Sequence, residues 1–166
     1  MNRGNLTVKQ LLRQCSVFAA LSDVDLEKVA GMVIEKQYPA GTTIFRQGER
    51  AEDLYVLQEG KLALQITLPP EAQRQSGNRI TVDAVNKNEV FGWSAVVEPH
   101  IFYMTAVCLQ EAKVLAINGA KLRWLLQDNC KIGYEVLKEL IKVVASRLDE
   151  TRRVLVSERV LVINSE

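Results

Sequence analysis

The stretch Val90-Phe91-Gly92-Trp93-Ser94-Ala95-Val96-Val97 sets a glycine between a short apolar segment and a run of small residues. A glycine followed by a short helical turn can present backbone N–H groups to an anion. Alone, that signal is weak. Other chemistry is easier to exclude. The chain has a single histidine, His100. Zinc and non-haem iron sites draw two or three histidines, or clustered cysteines, from the protein. A three-histidine site, a two-histidine-one-carboxylate triad and a two-cysteine-two-histidine finger are therefore out of reach, and an enzyme of the cupin-dioxygenase kind is disfavoured. One histidine leaves room only for a haem ligand. His100 lies in the Glu98-Pro99-His100 loop, where a plain surface-turn residue is the competing reading. The three cysteines, Cys15, Cys108 and Cys130, are widely spaced with no C-x-x-C pair, which suits a reducing compartment. There is no P-loop, no G-x-G-x-x-G, no G-x-S-x-G and no H-E-x-x-H. No catalytic residue, metal site or cofactor is expected.

The composition bounds the rest. The chain has 166 residues, 48% hydrophobic and 25% charged. That is one globular domain at roughly 100–200 residues per domain. Lys plus Arg is 21 and Asp plus Glu is 20, a net charge of +1. Domains whose main task is gripping a phosphate backbone are usually strongly basic, so no direct nucleic-acid binding is expected. The apolar stretch Cys15–Leu21 is too short for a membrane span and carries no signal-cleavage pattern. The expected location is cytoplasmic.

These residues need elements to position them. Val8, Leu11, Leu12, Cys15 and Val17-Phe18 give a rough helical period. Ser22 and Asp25 form a capping pattern ahead of Leu26, Val29, Ala30 and Val33. Two short helices should therefore open the chain. From about residue 34 the period changes to two, through Thr42–Phe45, Leu54–Leu57, the alternating Leu62, Leu64, Ile66 and Leu68, then Ile80, Val82 and Ala84. Val90-Phe91, Thr105–Leu109 and Lys113–Ile117 complete the strand candidates, and Pro69–Asn78 reads as a loop. Short strands between glycine turns predict a closed β-sandwich or roll.

The helical period then returns. Asn118 caps a helix to about Gln127, and a longer helix runs from about Lys131 to Arg153 or beyond. Leu137, Ile141, Val144, Leu148, Thr151 and Leu155 step 4, 3, 4, 3, 4 along it, a heptad seam with one polar member. Val136, Leu140 and Val143 lie on an adjacent face. A helix with two apolar faces needs two partners. One face is expected on the roll and the other on a second copy of the chain.

Taken in order, the helix pair, Gly41-x-x-Ile44-Phe45-x-Gln47-Gly48-Glu49, LYVLQEGKLAL, VFGWSAVV, TAVCLQEAKVLAI and the long helix resemble the cyclic-nucleotide-binding domain of the catabolite activator (cyclic-AMP receptor) superfamily over about residues 8–155. The resemblance implies a mainly β fold: an eight-stranded jelly roll (double-stranded β-helix) with N-terminal helices and a long C-terminal dimerisation helix. Residues 1–118 would hold the helices and roll, and 119–166 the C-terminal helices and tail of the same domain. It also implies a phosphate-binding cassette reading roughly F-G-E-L-A-L, with an Arg about six residues on. There the Gly and the turn donate N–H groups to the cyclic phosphate, the Glu accepts from the ribose 2′-OH, and the Arg neutralises the phosphate. The matching positions are Phe91, Gly92, Trp93, Ser94, Ala95 and Val96, so Trp93 stands at the Glu position. Counting back from Val114–Ile117 puts Phe102 at the Arg position, and its neighbours Tyr103 and Met104 are not basic.

Breaking one side of a desolvated charge pair costs about 2–5 kcal/mol. At ~1.4 kcal/mol per tenfold, that and a lost sugar hydrogen bond weaken binding by roughly several hundred-fold or more. Conventional binding of cyclic AMP or cyclic GMP is therefore not expected. Phe91, Gly92, Trp93, Ser94, Ala95, Phe102, Tyr103 and Thr105 are candidates to line a pocket for a different, unknown small effector, or to fill a vestigial one. Thr151 matches, within one turn, a long-helix Thr that contacts the base in relatives. Only 11 residues follow Leu155, too few for a winged helix-turn-helix. The expected function is a stand-alone, non-catalytic regulatory module, homodimeric through the seam, whose apolar tail Val154–Ile163 could meet a protein partner. The competing readings are a ligand-free structural or interaction dimer, and the effector domain of a transcription regulator cut before its DNA-binding part.

Overall fold

The structure is a computed structural model. It describes residues 6–70 and 78–163, with the side chains of Leu155 and of residues 158–163 left out of the description. The chain opens with α1 (Val8–Arg13), α2 (Ser16–Ala19) and α3 (Asp23–Ala30). The first expected helix is thus two, and the break has a local cause. Arg13 reaches forward from the end of α1, donating to the carbonyls of Ala19 (3.0 Å) and Leu21 and pairing with Asp23 at 2.6 Å. Those contacts fold the chain back at Gln14-Cys15. The Ser22 cap forms as its spacing predicts, its hydroxyl accepting from the Asp25 N–H at 3.2 Å. Val33 was expected on this helix. Instead Gly31 closes α3, and Val33 begins a strand opposite Ile117.

Two antiparallel four-stranded sheets follow. The strands are β1 (Val33–Tyr38), β2 (Thr43–Phe45), β3 (Asp53–Glu59), β4 (Leu62–Thr67), β5 (Arg79–Val85), β6 (Val90–Phe91), β7 (Thr105–Cys108) and β8 (Ala112–Asn118). One sheet has the order β1-β8-β3-β6, the other β2-β7-β4-β5. Every named pairing is antiparallel, and the chain passes from one sheet to the other at each step except β4 to β5, which are neighbours in one sheet, so the two sheets enclose a shared core as in a jelly roll. The loop expected over Pro69–Asn78 lies mostly outside the described residues.

Asn118 caps α4 (Gly119–Asp128), its Oδ1 accepting from the Lys121 N–H at 3.0 Å. α5 then runs from Cys130 to Ile163. Ile132, Val136 and Leu140 are buried and Val143 packs partly beneath it, so one face of α5 lies on the body of the protein, against α2, α4 and β5. The other face is open: Leu137, Ile141 and Leu148 are 42%, 68% and 61% exposed, and Val144 and Thr151 are half-buried. The reading in which both faces are covered within one chain does not hold. The side chain of Leu155 and most of the apolar tail lie outside the described residues. No described helix is long and apolar enough to cross a membrane.

Candidate functional site

The glycine turn sits where β6 leaves the sheet. Val90 and Phe91 pair with Val56 and Tyr55 of β3. Gly92 then adopts φ 71°, in the left-handed region that favours glycine, and Trp93–Val96 form one 3-10 turn. The turn closes through Ala95 N–H to Gly92 O at 3.1 Å and Val97 N–H to Ser94 O at 3.2 Å. Behind it, Arg123 of α4 donates to the Ala95 carbonyl. Gly119 lies so close that a Cβ there would come within 3.0 Å of the Ala95 Cβ.

The chain returns along the rim. His100 Nδ1 lies 3.3 Å from the Ser94 carbonyl oxygen, and the ring is half-buried. The His100 carbonyl accepts from Ala51 at 2.8 Å, and Phe102 exchanges backbone bonds with Gly48 (2.8 Å) and Glu49 (2.9 Å). These bonds lock residues 100–102 to the Gly48–Ala51 segment and drive Phe102 inward, where it is 4% exposed.

Inside the roll, aromatic rings meet the glycine. Phe102 lies flat on Phe45 with centroids 3.7 Å apart and planes 9° apart. Tyr55 stacks on Phe91 at 5.0 Å and on Phe45 at 5.7 Å. A Cβ on Gly92 would stand 3.0 Å from Tyr55 Cδ2, 3.2 Å from Phe102 Cε1 and 3.3 Å from the Asp53 carbonyl. Trp93 and Tyr103 form a second, outer pair with centroids 6.1 Å apart, and Tyr103 is 51% exposed. The candidates therefore divide. Phe91, Gly92, Ala95 and Phe102 meet in the interior, Trp93 and Tyr103 at the rim. Ser94 is buried. Thr105 is also buried, and its hydroxyl accepts from the Gln47 N–H at 3.0 Å.

Thr151 is placed differently from the rest. Its hydroxyl donates to the Arg147 carbonyl one turn back on α5, at 2.8 Å. The α5 side chain that reaches the roll beside the turn is Arg147. It pairs with Asp83 of β5, lies 3.4 Å from the Val90 carbonyl of β6 and 4.0 Å from Glu89. β5 and β6 are edge strands of different sheets. One buried guanidinium thus joins the helix to both edges. Neither Arg147 nor Asp83 stood out in the sequence. The usable signal was that Val136, Leu140 and Val143 continue, at helical spacing, into a charged residue.

The site's titratable groups do not suggest nucleophilic chemistry. Burial pushes the Cys15 thiol up to about 11, and burial also raises Cys108. Both stay protonated at neutral pH, and a protonated thiol is a poor nucleophile. Burial likewise raises the Tyr55 phenol, with the Asp53 charge adding to it. Among the described residues no group of three or more His, Cys, Asp or Glu could hold a metal ion.

The sequence profile of the cyclic nucleotide-binding domain matches residues 35–129, more than half of the chain. The chain belongs to the cyclic nucleotide-binding domain family. The matched span runs from β1 to the end of α4, and so contains the glycine turn and the aromatic cluster. The CRP-like cAMP-activated global transcriptional regulator of Mycobacterium tuberculosis (strain H37Rv) is 21% identical over 142 residues, 86% of this chain and 59% of that protein. This cyclic nucleotide-binding domain chain therefore spans less than two thirds of that relative's length. The N-terminal domain of a transcriptional regulator from Streptomyces coelicolor A3(2) superposes with a TM-score of 0.65 at 26% identity, covering 84% of this chain and 95% of that one. A cyclic nucleotide-binding domain from Methylobacillus flagellatus KT superposes at 0.74 with 14% identity, covering 92% and 82%, a likeness of fold.

Proposed function

We propose that this chain is a non-catalytic regulatory module of the cyclic nucleotide-binding family whose glycine turn does not take cyclic AMP or cyclic GMP in the family's usual way. The observation that carries this reading is the packing of Phe102 against Phe45 and Gly92. Phe102 is the residue that sequence matching sets at the phosphate-neutralising Arg position, and its ring fills space beside the turn. Trp93, at the ribose-binding Glu position, has no carboxylate to offer. Two cations near the turn are already engaged, Arg123 with the Ala95 carbonyl and Arg147 with Asp83. A buried anion at Gly92 would meet aromatic carbon in place of a guanidinium. The roll interior then either admits a different, apolar or aromatic effector or acts as packed core.

The module works as a homodimer in this reading. Support comes from the open face of α5, where Leu137, Ile141 and Leu148 lie exposed along one seam with Val144 between them. In this reading a protein partner meets the apolar sequence beyond Val154, over which α5 continues to Ile163.

Calorimetry with cyclic AMP and cyclic GMP tests the pocket. The native chain is expected to show no micromolar binding, and a Trp93→Glu/Phe102→Arg double variant is expected to gain affinity. Micromolar binding by the native chain, abolished by a bulky residue at Ala95, would overturn the proposal.

A further inference from the structure

Residues of β1, β8 and β3 and the end of α1 line a cleft of about 820 Å³. That volume falls within the roughly 300–1,000 Å³ of small-molecule sites. Leu11 of α1 and Gln14, just past its end, form one wall, and Lys113 and Gln58 belong to the sheet side. Lys87, on the turn between β5 and β6, closes one end.

Gln58 is the unusual residue. Leu57 pairs with Val114 and Glu59 with Lys113, so Gln58 is an extra residue bulged from β3. Bulges re-aim side chains and gather beside functional sites. The residue is 7% exposed, yet neither its Nε2 nor its Oε1 has a hydrogen-bond partner. Asn88, bonded to Leu57 beside the bulge, carries a third orphan but does not line the cleft. Its N–H donates to the Leu57 carbonyl at 2.7 Å, and its buried Oδ1 is also unpartnered. Buried polar atoms are nearly always satisfied, by protein, water or ligand, so the unmet carboxamide of Gln58 marks this wall of the cleft as a place for a polar partner.

The charges indicate which kind. Lys113 is paired with Glu59 at 2.9 Å. Lys87 makes no ion pair among the described residues. A ligand that holds a donor beside an acceptor would satisfy both carboxamide atoms at once, in place of water. The charged lining is Lys36, Lys87 and Lys113 against Glu35 and Glu59, an excess of one positive charge that an anion would balance.

We propose that this cleft is a second ligand site, separate from the roll interior, for a small anion carrying an amide-type donor–acceptor edge. Gln58 would pair with the edge and Lys87 with the charge. Two kinds of molecule carry that chemistry. One is an N-acyl amino acid, with a carboxylate and an amide. The other is a nucleotide, with a phosphate and a base edge. The proposal is independent of whether the glycine turn binds anything.

Two-dimensional NMR of the full chain, titrated with N-acetylglutamate, AMP, nicotinamide and inorganic phosphate, tests it. The expected result is a saturable shift of the Gln58 side-chain NH2 and of the Gln14 and Lys87 amides with N-acetylglutamate or AMP, whichever responds naming the source. Nicotinamide has the edge without the anion, and phosphate the anion without the edge. Each should bind at least about tenfold more weakly. Gln58→Leu should abolish the shifts, and it should raise the melting temperature of the unliganded protein by removing an unmet amide. Lys87→Glu, at an exposed position, should weaken binding by about tenfold or more, and it carries the test if Gln58→Leu does not fold. No shift with any probe at millimolar concentration would overturn the site and leave the carboxamide to water. So would shifts that persist in both variants, or shifts confined to Gly92–Val96, which report the roll turn.

Discussion

Arg147 of α5 and Asp83 of β5 form an ion pair across the junction of helix and roll, with both side chains largely buried. The same guanidinium lies 3.4 Å from the Val90 carbonyl, so the edge strands of both sheets share one cation from the helix. Its Nε has no partner, so the side chain is not fully satisfied even there. Removing one member of a buried pair typically costs about 3–5 kcal/mol, because the other charge is left uncompensated. Asp83→Ala and Arg147→Ala should each lower the unfolding free energy by about that amount in urea denaturation. A joint Asp83→Leu/Arg147→Met change should recover most of the loss. Equal losses in the single and joint variants would show that packing, not charge, matters here.

Gly92 holds a left-handed backbone and has no room for a side chain. Gly92→Ala should cost about 1–3 kcal/mol and shift the near-ultraviolet circular dichroism, because Tyr55 and Phe102 must yield. Gly41, also at positive φ but with nothing within 4 Å of a built Cβ, is the control. Gly41→Ala should show strain without the spectral change.

Ile141, on the α5 seam, is 68% exposed. Ile141→Glu should abolish self-association in light scattering at high micromolar concentration and leave the thermal unfolding of the isolated subunit within about 0.5 kcal/mol of the native value. A native chain that is strictly monomeric under the same conditions would remove the basis for this seam as an interface.

The Ser22 hydroxyl donates to Asp25 Oδ2 at 2.7 Å, and this bond, with a smaller share from Lys28, holds the Asp25 carboxyl below the ordinary carboxylate range. A carboxyl lowered in the folded state stabilises it above the unfolded pKa, near 3.8, and that stabilisation fades as pH falls through the folded value. Ser22→Ala should therefore lower the melting temperature at neutral pH, and the difference from the native chain should shrink in acid. A difference that grows toward low pH would contradict the assignment.

Local features of the fold were legible in the chain. Ser22 and Asn118 cap the helices their spacing indicated. The glycine at 92 makes the turn expected of it. The alternating apolar positions became strands, and α5 carries the two faces its stripes require. What escaped was set by residues far apart in sequence. Arg13 splits the first helix by reaching ahead to Ala19, Leu21 and Asp23. Val33 leaves helix α3 because Ile117 offers it a strand partner. Arg147 and Asp83 are separated by 64 positions, and neither is conspicuous without the other. Gln58 looked like one more polar residue at a strand end, and only the register around it exposes the bulge. At the glycine turn, residue types alone supplied the substitutions at Trp93 and Phe102, but not the flat stack of Phe102 on Phe45.

The position of Arg147 within α5 has a mechanical side. The helix continues to Ile163, about 16 residues past the guanidinium, or about 24 Å at 1.5 Å per residue. Arg147 thus ties the helix to the roll near the middle of its length. A tilt of about 10° about that point carries the far tip some ~4 Å sideways over such a length.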